Sequence, residues 1–182
     1  MAKNKGVRVT ILVEDQMLAR FVRSVLEQIG YCSREIYEYP YPKAENTKAW
    51  VARKYPDLVK AHRSKAAYQQ VALLIGTDAD NQSVQKRSND LQNALSEKGY
   101  APRQVRERIA LWIPKWHVET WIRFLSGEQV VESQRYKRET KYSDFNAVGK
   151  AFVEKYREFR MNPNLDALPS LITAFQETKR ID

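Results

Sequence analysis

The stretch Val71-Ala-Leu-Leu-Ile-Gly-Thr-Asp-Ala-Asp80 constrains this chain more than any other. Five apolar residues run into a glycine, and two carboxylates follow with one residue between them. A continuous apolar run with no polar alternation reads as a strand buried on both faces, the signature of a parallel sheet. Ligand sites in open α/β sheets form at the carboxyl ends of such strands, so Asp78 and Asp80 are placed for chemistry. Val7-Arg-Val-Thr-Ile-Leu-Val-Glu14 repeats the pattern, with a β-branched run ending in a carboxylate. Side by side, the two strands bring Glu14, Asp78 and Asp80 into one small volume. Three carboxylates in a low-dielectric crevice repel one another unless a cation lies among them. Their hard oxygen donors suit Mg²⁺ or Mn²⁺.

Periodicity supplies the elements between. Apolar residues at 18, 21, 22, 25, 26 and 29 predict a helix over 15–29 that Gly30 stops. Cys32 to Tyr37 reads as a short second strand, and Glu38 to Asn46, with two prolines, as a loop. Residues 47–65 read as helical, with Pro56 marking a break or a new first turn. A helix over 82–98, a strand from Arg106 to Ile113, and a helix after Pro114 follow. Strands alternating with helices to residue 125 predict a parallel sheet of about four strands with helices on both faces. Beyond 127 no strand is evident, and amphipathic helices are expected over 145–159 and 165–178. The division expected is an α/β domain over 1–126 and a helical C-terminal appendage over 127–182, packed on it.

A net charge of +9 on 182 residues points to a polyanionic partner. Solubility alone is the bland explanation. Arg53, Lys54, Lys60, Arg63 and Lys65 crowd the segment before the central strand and are the candidate nucleic-acid contacts. No apolar run approaches the roughly 20 residues of a spanning helix, so no membrane association is expected. One cysteine excludes a disulfide framework and a thiolate zinc site, and the expected location is the cytoplasm.

The order of these motifs, with Val-Glu14, a helix, Asp78-Ala-Asp80, and then Lys115-Trp-His-Val-Glu-Thr-Trp121, resembles the TOPRIM domain. More narrowly it is similar to small standalone TOPRIM-like proteins related to the overcoming-lysogenization-defect nucleases of bacterial defence. The resemblance covers roughly residues 7–125. It implies a Rossmann-like sheet and metal-dependent phosphodiester cleavage, with nucleic acid as the expected partner (DNA ahead of RNA, the substrate itself left open) and a partner ATPase or self-association as further expectations. Carried over, it makes Glu14, Asp78 and Asp80 metal ligands and catalytic groups, adds Glu119 to the site, and lets Lys115 offset charge on the transferred phosphoryl. Two departures stand out: Asp15 replaces the glycine usual after the first glutamate, and Met17-Leu18 stands where relatives carry Thr-Glu.

Plainer roles exist for each residue. Asp15 could cap the first helix, Glu14 and Glu119 could be helix-start acids, and His117 could be structural. Two rival functions follow: a TOPRIM-like module that binds without catalysing, and a phosphatase or receiver-like phosphoacceptor with Asp78 as nucleophile. A labile acyl-phosphate would mark the second.

Overall fold

The computed structural model describes residues 4, 6–40, 42, 47–136 and 144–182. Part of the predicted proline loop and part of the charged stretch after 127 lie outside these residues. Four parallel strands form one sheet in the order β2-β1-β3-β4, where β1 is Arg8–Val13, β2 Ile36–Glu38, β3 Val71–Gly76 and β4 Ile109–Trp112. Every residue of β3 is buried, as its unbroken apolar run requires. Among the described residues the six helices are α1 (Gln16–Gln28), α2 (Thr47–Ala66), α3 (Val84–Glu97), α4 (Val118–Leu125), α5 (Phe145–Met161) and α6 (Pro169–Thr178).

Handedness decides which helix covers which face. The chain steps one way from β1 to β2 and the other way from β2 through β3 to β4. Right-handed crossovers therefore send α1 to one face and α2 and α3 to the opposite one. The core divides accordingly. Val9, Ile11, Leu74, Ala110 and Trp112 pack with α1, α4, α5 and α6, whereas Leu12, Leu73, Ile75 and Leu111 pack with α2 and α3. The architecture is thus α/β with a parallel sheet covered on both faces, of Rossmann-like type.

The helices beyond residue 127 complete the first layer. Phe152 of α5 stacks against Trp112 of β4 with ring centroids 4.9 Å apart. The Ser24 hydroxyl of α1 donates to the Phe145 carbonyl at 2.6 Å. A methyl group on Gly149 would come within 2.2 Å of that hydroxyl oxygen, so the α1–α5 crossing depends on a residue without a side chain. On the outer edge of the sheet, Glu177 of α6 accepts the Leu111 N–H at 2.9 Å and is held by Arg103, which satisfies a strand edge otherwise open to pairing.

Three local expectations are corrected. Pro56 lies inside a continuous α2, because its ring removes only one backbone hydrogen bond and burial of Trp50, Val51, Tyr55, Pro56 and Val59 outweighs that loss. Residues 33–35 form a 3₁₀ turn, leaving β2 only three residues. β4 is shorter than the expected Arg106–Ile113 strand and begins only at Ile109, since the Arg103–Arg108 segment is bent: the Glu107 carboxylate accepts the Gln104 N–H at 2.7 Å. No helix among the described residues is long and apolar enough to cross a membrane.

Candidate metal centre

The strand order reverses between β1 and β3, and the crevice outside their carboxyl ends is the switch point where open α/β sheets bind ligands. Pairing runs to Val13 opposite Gly76, so the residues that follow, Glu14 on one strand and Thr77-Asp78 on the other, leave the sheet together. Glu14 is 4% exposed. Its Oε1 accepts the Asp78 N–H at 2.9 Å, and its Oε2 accepts the Thr77 hydroxyl at 3.1 Å. Burial, and after it the charge of Asp78, pushes the Glu14 carboxyl up to about 7. The predicted convergence of β1 and β3 acids is therefore present, but Glu14 spends both oxygens on its neighbours.

Asp78 is 5% exposed, and burial raises its carboxyl above the ordinary range, with His117 pulling it back down. His117 precedes α4 as its N-cap, so the strand β4 and the turn after Pro114 bring it across the crevice. Its Nδ1 is 2.9 Å from Asp78 Oδ2, while its Nε2 accepts from Arg135 Nε at 3.3 Å. An acceptor at Nε2 assigns the proton of a neutral ring to Nδ1, which donates to Asp78.

Asp80 completes the group. Its backbone is left-handed, at φ 51°, a conformation unusual outside glycine but tolerated by Asp. Two lysines hold it there. Lys48, from the first turn of α2, pairs with its carboxylate. Lys115 Nζ accepts nothing and donates to the Asp80 and Gln82 carbonyls, at 3.1 and 2.5 Å, while lying 4.7 Å over the Trp116 ring. Strained backbone that surrounding contacts enforce is common at functional sites.

Among the described residues, Asp78, Asp80 and His117 can each offer a ligand atom such that all three atoms lie within 4.8 Å of one another. They can hold a metal ion. Two carboxylates and an imidazole form a mixed oxygen and nitrogen donor set for a divalent ion.

The other predicted residues are distributed as follows. Glu119 is buried in the first turn of α4, two residues beyond His117. Lys115 clamps the loop carrying Asp80, so its ammonium is engaged by carbonyls. Asp15 caps α1, accepting the Leu18 N–H at 2.9 Å. The basic residues of α2 spread along the helix away from the acidic crevice. Lys48 is beside Asp80, but Lys60, Arg63 and Lys65 lie up to about 25 Å away along the helix, toward the amino ends of the strands. Arg63 is bound by Glu107 at 2.6 Å. Arg53 is exposed and Lys54 half-buried, both between these ends.

Sequence reasoning passed over Thr77, Lys48 as a site residue, and Arg135. Thr77 adjoins Asp78 and was accessible to inspection of the strand end. Arg135 carries no local signal. Its segment is fixed by Glu132, whose carboxylate accepts the Ser170 N–H at the start of α6 at 3.1 Å and whose carbonyl accepts from Trp116 Nε1 at 3.0 Å. No family model matches this chain, and neither does any curated protein or solved structure.

Proposed function

We propose that this protein is a metal-dependent phosphodiesterase acting on nucleic acid. The observation that supports it is the grouping of Asp78, Asp80 and His117 within 4.8 Å at the topological switch point. A divalent ion bound there supplies Lewis-acid stabilisation of charge developing on a transferred phosphoryl group.

The protein's own groups fit the remaining tasks. Asp78, Asp80 and His117 would hold the ion, His117 exchanging one of its two hydrogen bonds for the metal, and Mn²⁺ is the species proposed. Glu14, accepting the Asp78 N–H and the Thr77 hydroxyl, would hold the Asp78 turn in position for the ion. Arg135 presents an exposed guanidinium beside His117, where it can pair with a phosphate oxygen. Lys48 offsets the charge of Asp80 and lowers the electrostatic barrier to an incoming polyanion. The net charge of +9 favours a nucleic-acid substrate over a small phosphoester.

The second reading, a module that binds metal without catalysing, draws on the engagement of both Glu14 oxygens inside the protein. One experiment separates the two. Purified protein is incubated with plasmid DNA and with RNA in Mn²⁺, Mg²⁺ or EDTA, beside calorimetric titration of each ion. Cleavage in Mn²⁺ that EDTA and Asp78→Ala both abolish, with the variant's fold intact by circular dichroism, is the expected result. Mn²⁺ binding without cleavage favours the binding module, and an Asp78→Ala variant of undiminished activity rules the proposed site out.

A further inference from the structure

At the opposite, amino end of the strands the α2 face of the sheet is left open. Side chains of alternate residues share a face, so Arg8, Thr10 and Leu12 of β1 point toward α2, with Tyr37 opposite Thr10 on β2 and Leu73 opposite it on β3. Leu12 and Leu73 are buried under α2, but Tyr37 is 57% exposed, so the cover fails over β2. The result is a cavity of about 590 Å³ between α2 and the β2–β1 edge. We propose that this cavity is a binding site for a nucleoside phosphate.

Three observations carry the assignment. First, the size lies within the range of small-molecule sites, roughly 300–1,000 Å³, and the walls include the apolar Leu58, Ala61 and Leu73. Second, the mouth is cationic. Arg8 and Arg34 both lean on the single carboxylate of Glu35, at 3.4 and 3.9 Å, which gathers two guanidinium forks at one place. Each fork carries five donors, most of them left over for a ligand. Lys65 on the α2 wall adds a third positive charge, so the lining is cationic overall. A phosphate meets such a pair of forks bidentately. Third, the cavity offers surfaces for a flat heterocycle. The exposed ring of Tyr37 stands at the edge as a stacking surface. His62, only 7% exposed, packs into the α2 wall beneath it.

The site is independent of the metal centre, which stands at the other end of the strands. Calorimetric titration of the full chain in EDTA with ADP, AMP, adenosine and inorganic phosphate tests it. ADP is expected to bind more tightly than adenosine or inorganic phosphate. Arg34→Ala and Lys65→Ala should each weaken ADP about tenfold, as loss of a charged hydrogen bond does. Both side chains are solvent-facing, so the variants should melt with the wild type. Asp78→Ala should leave ADP binding unchanged. The inference is overturned by absence of ADP and AMP binding at millimolar concentration. It is equally overturned by binding that survives both cavity substitutions, or by inorganic phosphate binding as tightly as ADP.

Discussion

Replacing Glu14 with Gln should make the protein more stable at alkaline pH and flatten its pH dependence. The Glu14 carboxyl rises from its ordinary 4.5 to about 7 because burial, and then Asp78, disfavours its charge. At about 1.4 kcal/mol per pKa unit, ionising it inside the fold costs about 3 kcal/mol. The sign follows from proton linkage. Between pH 4.5 and 7 the folded state binds more protons at this site than the unfolded state, so stability falls as pH rises through that window. Below it the penalty is absent, and above it the penalty is complete. Asp78, raised in the same direction, steepens the slope. Gln keeps the shape and most of the bonding: its carbonyl still accepts the Asp78 N–H, and the Thr77 hydroxyl can turn to accept from the amide. In EDTA at pH 8, Glu14→Gln should therefore gain up to about 3 kcal/mol, roughly 6–12 °C in Tm for a domain of this size. Melting curves from pH 4 to 8.5 read the effect. Wild-type and variant Tm values that run parallel across that range would refute the assignment of the penalty to Glu14.

Substitutions at two further positions address the scaffold. Asp80→Gly and Asp80→Ala both delete a carboxylate from the metal group, and each should weaken Mn²⁺ binding. At φ 51°, however, Gly should be the more stable of the two by about 1 kcal/mol, so an Ala variant that melts at or above the Gly variant contradicts the strained turn. Gly149→Ala pushes a methyl into Ser24 at the α1–α5 crossing and should cost about 1–3 kcal/mol, despite the better helix propensity of Ala. A denaturant midpoint that does not fall would show that the two helices do not pack this closely.

Much of the fold was readable because the signals are local. Apolar runs on β1 and β3 need no partner to declare themselves, and Asp15 and Gly30 mark the two ends of α1 through bonds made within one turn. The switch-point rule then put Glu14 and Asp78 together, since parallel strands in register must release their last residues on the same side. Pro56 misled the reading because its local cost was set against burial supplied by strands and helices elsewhere.

The metal group shows where local information ends. Sequence named Asp78 and Asp80 and supplied Glu14 as the third ligand. The tertiary structure instead turns Glu14 inward to Thr77 and the Asp78 N–H, and brings His117 across from the far side of β4. Lys48 and Arg135 reach the site from α2 and from the segment after α4 for the same reason. The sequence by itself determined which strands are buried and which carboxylates leave them, because those depend on neighbours one or two residues away. Only the tertiary structure decided which of those acids stand close enough together to hold an ion, where the basic charge of α2 points, and which part of the sheet is left uncovered. Those outcomes depend on distances between residues dozens of positions apart, fixed by the packing of helices on two faces.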